Sequence, residues 1–278
     1  GDARTTLQEL LPRLRYKTDR SFRQELEKSI QDWRQTVEAR ARVPANPVNP
    51  QLVFAEASAR LPSNCIVTAD SGTAACWFAL NLSIREGMMA SLSGNLATMG
   101  PGVPYAAAAK FAYPDRLAVA FVGDGAMQMN GINQLISIAD YWKEWTDPRL
   151  VVCVLDNGDL NMVTWEMRAM SGQPRFEPSQ RVGPFPYAQF AASLGLLGVT
   201  IERPEDIPSA WERALAADRP CVIQAKVDPE VPPLPPHITF DQAKAFLSAV
   251  LKGDPESGAF LRQTFLHTVA PYFHRRLS

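Results

Sequence analysis

The chain has 278 residues, 46% of them hydrophobic, and a formal net charge of −1 at pH 7. That is ample apolar material for a core, and the near-neutral balance excludes a nucleic-acid partner held by charge. Cys65, Cys76, Cys153 and Cys221 are scattered through apolar segments without C-x-x-C spacing, which argues for buried reduced thiols rather than a disulfide framework or a zinc site. There is no signal-peptide pattern and no apolar run of the roughly eighteen residues that a membrane helix needs, so a cytoplasmic location is the expectation.

In chain order, residues 1–42 read as charged helix. Ser21 with Gln24 has the capping-box pattern, and Phe22, Leu26, Ile30, Trp33 and Val37 recur at helical spacing, a stripe expected to pack rather than to bind. Three prolines and two asparagines predict a linker over 43–50. From 51 to 228 apolar, β-branched runs at 65–69, 117–122, 150–155, 198–202 and 221–227 alternate with helical patterns. That rhythm predicts an α/β fold, a doubly wound parallel sheet with helical extensions at both ends. A proline-rich stretch, 229–236, leads out to a helical tail. There Phe260, Leu261, Phe265, Val269 and Phe273 are expected to form one apolar stripe ending in His274-Arg275-Arg276, docked on its own domain or on a neighbouring subunit.

Chemistry concentrates at two strand ends. The run 117–122 stops at Gly123-Asp124-Gly125-Ala126, and the next strand delivers Asp156-Asn157-Gly158-Asp159 to the same sheet edge. Gly123 and Gly125 permit a tight turn and close backbone approach, and 126–138 reads as a helix whose first N–H groups face that turn and suit an anion. Asp124 offers a hard carboxylate oxygen beside it, Asn157 a neutral amide oxygen, and Asp159 its backbone carbonyl, which together suit Mg²⁺ shared with a phosphate. In an open parallel sheet, loops at the carboxyl ends of the strands are where ligands bind. His237, His267 and His274 lie away from this edge and are expected to be surface or packing residues.

Gly123-Asp124-Gly125 with Asp156-Asn157 resembles the thiamine-diphosphate signature of the group containing pyruvate oxidase, the quinone-dependent pyruvate dehydrogenases and acetolactate synthase. Asp70-Ser71-Gly72-Thr73 is similar to that family's earlier Asp-X-Gly turn, and Leu96-Ala97-Thr98-Met99-Gly100-Pro101-Gly102 to the segment that shapes the cofactor. The resemblance implies Mg²⁺ at Asp124, Asn157 and Asp159, with the cofactor held by Gly72, Thr73, Ala97, Thr98, Met99, Gly123, Gly125, Ala126, Asn157 and Met162. It makes Met99 the prop of a bent thiamine and the Ala97 carbonyl an acceptor for its aminopyrimidine, and it matches Glu166 to a catalytic carboxylate near the reaction centre. Segments at both ends narrow the group. The stretch 235–246 resembles the C-terminal part of the quinone-dependent pyruvate dehydrogenases, and 1–7 with 17–20 the tail of their FAD-binding middle domain.

The implied activity is decarboxylation of a 2-oxo acid such as pyruvate, in pyruvate oxidase fashion, with electrons passed through FAD to quinone. Two alternatives stand beside it: an acetolactate synthase-like carboligase or decarboxylase, and a non-catalytic binding or assembly module. Met162 favours the carboligase side, because pyruvate oxidases carry near this place an aromatic residue implicated in passing electrons to flavin. Asp156 replaces the family's usual first asparagine without removing a metal donor. The resemblance further implies a homo-oligomer, an N-terminal pyrimidine-binding domain supplied by the same or a neighbouring chain, FAD held by the middle domain, and peripheral contact of the C-terminal tail with the inner face of the membrane. The expected organisation is a middle-domain tail and linking helix over 1–42, a linker over 43–50, a diphosphate- and metal-binding domain over 51–228, and a tail over 229–278.

Overall fold

The computed structural model describes residues 1–233 and 239–274, with the side chains of the closing helix described through Thr268. At its centre six strands, β1 (Ile66–Ala69), β2 (Met89–Leu92), β3 (Ala118–Gly123), β4 (Leu150–Asp156), β5 (Leu197–Ile201) and β6 (Cys221–Lys226), form a parallel sheet in the order β2-β1-β3-β4-β6-β5. A parallel sheet carries helices on both faces, so its middle strands are apolar throughout, and every residue of β4 is buried. Side chains along β3 alternate between two cores. Val119 and Phe121 join Phe54, Trp77 and Trp211 beneath helices Pro50–Arg60, Thr73–Asn81 and Asp206–Leu215. Ala118, Ala120 and Val122 join Val103, Leu135 and Ile138 beneath Gly102–Ala112, Ile132–Tyr141 and Tyr187–Ser193. Phe121 stacks on Phe54 with ring centroids 4.4 Å apart.

The doubly wound α/β architecture is as the sequence predicts, with five of the strands shifted by a residue or two at most. β2 is the strand the pattern did not reveal. It has four residues, Met-Ala-Ser-Leu, all exposed at the sheet edge and weak in strand preference, and only its pairing with β1, Ile66 against Met89, defines it. The helix expected over 126–138 starts earlier, at Asp124, and opens into a π-turn over Met127–Gly131 before continuing as Ile132–Tyr141. A Cβ on Gly131 would lie 2.4 Å from Met127 Sδ, which accounts for glycine inside that turn.

The chain divides into two compact units, 1–36 and 37–278. In the first, helix Ser21–Ala41 begins with Ser21 already inside it, so the expected Ser21–Gln24 capping box does not form. Asp19 Oδ1 accepts from Ser21 N–H at 2.9 Å instead. Phe22, Leu26 and Ile30 of the expected packing stripe are exposed.

In the second unit the 43–50 segment is packed rather than a loose linker. Asn49 caps helix Pro50–Arg60 by accepting from Gln51 N–H at 3.0 Å, while its Nδ2 donates to the carbonyls of Arg40 and Val43, both at 2.9 Å. This segment is sewn to the end of the chain: Asn46 N–H donates to Asp228 Oδ2, Gln263 Nε2 to Pro44 O, and Arg40 Nε to His267 O. Thr239 and Gln242 make the capping box of helix Phe240–Leu251.

The expected tail stripe splits. Phe260 is fully buried against Trp165 and Phe246, whereas Leu261 and Phe265, on other sides of helix Ser257–His274, are exposed. The side chains of Val269, Phe273 and His274, the Arg275-Arg276 pair, and Pro235, Pro236, His237 and Ile238 lie outside the described residues. Among the described residues no helix is long and apolar enough to cross a membrane.

His267 is a buried packing residue whose Nδ1 sits 2.9 Å from Gln263 O and whose Nε2 has no partner. Burial, reinforced by Arg40, holds its pKa down at about 4. A folded-state pKa below the unfolded value of about 6.5 means that the unfolded chain takes up the proton first, so His267 costs stability as pH falls from about 6.5 toward 4. Its share should be about 2 kcal/mol between pH 7.5 and pH 5. Urea unfolding at the two pH values, compared with a His267→Gln variant, checks this: the variant should lose about 2 kcal/mol less on acidification.

Candidate functional site

β1 and β3 are neighbours whose following connections leave in opposite directions, so the crevice at their carboxyl ends is the switch point of the sheet. The three turns singled out in the sequence meet there: Ser71-Gly72-Thr73 after β1, Gly123 to Ala126 after β3, and Asn157 to Asp159 after β4. They line one cavity with Met99, Leu160 and Met162. Gly72 has φ +92° and leads directly into helix Thr73–Asn81, whose first two residues, Thr73 and Ala74, line this cavity. At Gly125 a Cβ would fall 2.6 Å from Leu160 Cδ2. A larger residue there would require the Leu160 side chain to move.

Asp124 is the electrostatic centre. Its Oδ1 accepts from Gly125 N–H at 2.8 Å, and its Oδ2 from Asn157 N–H at 3.0 Å and Gly158 N–H at 2.6 Å, so one carboxylate holds the β3 and β4 turns together. Tyr187 Oη braces the turn from below by donating to the Asp124 carbonyl at 3.2 Å, and Gln128 Nε2 donates to Tyr187 Oη at 3.0 Å. Burial pushes the Asp124 carboxyl up to about 7 against these three N–H donors, and nearby Asp156 pushes it the same way. Asp156 itself turns toward β6, accepting from Gln224 Nε2 at 2.6 Å and pairing with Lys226.

Asn157 Oδ1 accepts from Asp159 N–H at 3.0 Å. The Asp159 carboxylate is taken by Arg175 Nε at 3.1 Å and Asn161 Nδ2 at 3.1 Å. Flanking bonds from Leu160 N–H to Gln180 O and from Val182 N–H to Gly158 O leave the Asp159 carbonyl on the free edge of its bridge with Arg181.

The donor set suits a divalent cation that brings other ligands with it. Asp124 is buried and, among the described residues, forms no ion pair, so its charge lacks a counterpart. Also among the described residues, no cluster of three His, Cys, Asp or Glu side chains could enclose a metal by itself. A single carboxylate, an amide and a carbonyl are what Mg²⁺ uses when phosphate oxygens and water complete its shell. A proton would compete with such a cation for Asp124. Mg²⁺ affinity, corrected for protonation of free diphosphate, is therefore expected to be about 10-fold weaker at pH 6 than at pH 8; equal affinities in a titration at the two values would contradict the assignment.

Other expected residues are placed less directly. Gly125, expected among the residues that hold the cofactor, has its N–H engaged by Asp124. Thr98 lines a neighbouring cavity with Gly100 and Asn130, and Ala97 is exposed with φ +48°, a left-handed conformation unusual for a residue with a side chain. Glu166 ends helix Asn161–Glu166, exposed and outside the lining. Ser71, Ala74, Leu160, Asn161 and Val163 line the cavity as well, and their only sequence signal is adjacency to the motifs. The enclosed space is about 50 Å³. Small ligands are usually enclosed in roughly 300–1,000 Å³, so a cofactor seated here lies across the open mouth.

Fold and turns together define an α/β domain of the kind that takes its ligand at the carboxyl end of an open parallel sheet. The chain belongs to the thiamine pyrophosphate enzymes: residues 70–225 match the family described as thiamine pyrophosphate enzyme, C-terminal TPP binding domain. It is 31% identical over 259 residues to YdaP of Bacillus subtilis, provisionally named a thiamine pyrophosphate-containing protein, covering 93% of this chain and 43% of that protein. It is 28% identical over 196 residues to the acetolactate synthase isozyme 2 large subunit of Escherichia coli, covering 68% of this chain and 34% of that subunit. The isozyme 3 large subunit of the same organism is 30% identical over 223 residues, 77% of this chain and 37% of that subunit. The chain thus spans less than half the length of these relatives.

Proposed function

We propose that this chain is the part of a thiamine-diphosphate- and Mg²⁺-dependent enzyme that holds the diphosphate and the metal, and that the whole enzyme decarboxylates a 2-oxo acid such as pyruvate. The observation that carries this reading is the buried carboxylate of Asp124, tied to the Asn157 turn at the sheet's switch point and lacking a counter-charge. When bound, thiamine diphosphate supplies the electron sink for loss of CO₂. The chain's own residues bind and orient it. Asp124, the Asn157 amide and the Asp159 carbonyl hold the cation, the helix start at Thr73 and the turn at Gly123 to Ala126 receive the diphosphate, and Met99 and Met162 wall the apolar part. The open mouth leaves the far side of the cofactor to a pyrimidine-binding domain, from the same or a neighbouring chain of a homo-oligomer.

The fate of the two-carbon unit divides the reading. Acetolactate synthase-like carboligation is favoured by the names of the relatives and by Met162, which is no aromatic electron relay. Pyruvate oxidase-like transfer through FAD to quinone is favoured by the end segments 1–7 and 235–246, with FAD held by the middle domain. The test is to supply the full-length protein with pyruvate, Mg²⁺ and thiamine diphosphate, with and without a quinone. CO₂ with acetolactate selects the first, and quinone-dependent acetate the second. Tight cofactor binding without CO₂ from any 2-oxo acid would make the chain a binding module.

A further inference from the structure

The end of β1 grips a segment thirty residues away in sequence. Asp70, 1% exposed, accepts from Gly100 N–H at 2.8 Å and Ser71 N–H at 2.9 Å through Oδ1, and from Gly102 N–H at 2.9 Å through Oδ2. Ser71 Oγ donates to Thr98 O at 2.9 Å, and Thr68 Oγ1 to Gly102 O at 2.7 Å. Three side chains of one strand end therefore fix four backbone groups between Thr98 and Gly102. The fit is close: a Cβ on Gly102 would stand 3.0 Å from Asp70 Oδ2 and 2.7 Å from Val122 Cγ1, and one on Gly100 would stand 2.6 Å from Asn130 Nδ2.

What this grip holds is a segment that exposed backbone would not keep by itself. Ala97, next to the gripped stretch, is the only described non-glycine residue with positive φ, and such conformations persist only where surrounding bonds over-determine them. Met99, inside the gripped stretch, lines the cofactor cavity and faces Gly125, where its Cε would lie 3.7 Å from an added Cβ.

We propose that Asp70, assisted by Ser71, is a positioning residue that presets the Ala97 to Gly102 segment, and with it Met99, in the conformation that receives the thiamine rings before any cofactor arrives. The proposal rests on the cofactor reading above. Preorganisation of this kind raises affinity by removing the ordering cost at binding, and it acts on the ring end of the cofactor alone, since Asp124 and its turn are held by separate bonds.

An Asp70→Asn exchange keeps the size of the side chain but replaces one acceptor with a donor that faces a backbone N–H. Hydrogen–deuterium exchange of the cofactor-free protein should then show faster exchange at 98–102, with exchange at 157–158 unchanged. Affinity for thiamine diphosphate with Mg²⁺ should fall at least about 10-fold, while affinity for inorganic diphosphate with Mg²⁺ should stay within about twofold. Unchanged thiamine diphosphate affinity despite faster exchange overturns the proposal, as does an equal loss for both ligands. Ser71→Ala, which removes the tie to Thr98 and a hydroxyl from the cavity lining but keeps the Asp70 bonds, should give the same split at smaller size and decides the matter if Asp70→Asn does not fold, an equal loss for both ligands counting against the proposal. Failure of the unaltered protein to bind either ligand would instead refute the cofactor reading itself.

Discussion

Replacing Asp124 by alanine should abolish saturable, Mg²⁺-dependent binding of thiamine diphosphate, a loss of at least about 100-fold, since even residues that only support a metal ligand are worth 10–100-fold. Two effects combine. The cation loses its one charged protein ligand, and the N–H groups of Gly125, Asn157 and Gly158 lose the acceptor that joins the two turns. Asp124→Asn separates them in part, because it removes the charge and keeps one acceptor oxygen while its NH2 replaces the other, facing a backbone N–H of Gly125 or of Asn157 and Gly158. Its thermal midpoint without ligand should fall less than that of the alanine variant, since one acceptor is kept and the carboxylate it removes is one that burial already disfavours. Its metal affinity should nevertheless fall nearly as far as that of the alanine variant. Calorimetric titration of the full-length protein checks both variants, and saturable binding retained by Asp124→Ala would refute the metal assignment.

The largest expected effect on stability lies behind the site. Arg168, fully buried, donates through Nε and Nη2 to Asp254 at 2.9 Å each and through Nη1 to Glu230 at 2.7 Å, with its guanidinium carbon 4.6 Å from the centre of the Phe260 ring. Burial pushes both carboxyls up. Glu230 stands at about 7 even with Arg168 beside it, while at Asp254 the paired guanidinium bonds and the Arg175 N–H prevail and hold the carboxyl below its usual value. Arg168→Met would leave two buried acids without a cation and should cost about 3–5 kcal/mol. Combining Arg168→Met with Glu230→Gln and Asp254→Asn should recover much of that, because an ion pair removed whole takes its desolvation cost with it. Denaturant unfolding of the set measures both. A cost below about 1 kcal/mol for Arg168→Met would show that the acids are screened by water instead.

Much of the sheet can be read from the chain because its middle strands have few alternatives. The uninterrupted apolar run of β4 and the alternation along β3 suit a doubly covered parallel sheet and little else, and glycines mark where the strands must stop. The meeting of the two turns was legible for the same reason, since Gly123-Asp124-Gly125 and Asn157-Gly158 are local. Contacts that cross the sequence were not. Nothing in Asp70 announces Gly100 and Gly102, nor does Arg168 announce Asp254, because a hydrogen bond between distant segments leaves no periodicity. β2 escaped because exposed edge residues obey no burial pattern. The tail stripe misled because Phe260 and Leu261 are adjacent on a helix, about 100° apart, so they cannot share a narrow face.

The seam between residues 40–49 and the end of the chain has a consequence for how the domain is made. Arg40 meets His267 at a separation of 227 positions, Pro44 meets Gln263 at 219 and Asn46 meets Asp228 at 182. Doubling such a loop adds only about 0.6 kcal/mol of closure entropy, so the equilibrium fold tolerates the separation well. Its timetable does not, because contacts so remote slow folding. During synthesis all six strands leave the ribosome before helix Ser257–His274 exists. The Pro44 carbonyl and the Arg40 guanidinium therefore wait without these partners until that helix arrives, and over that interval the nascent chain exposes surface that the folded domain covers.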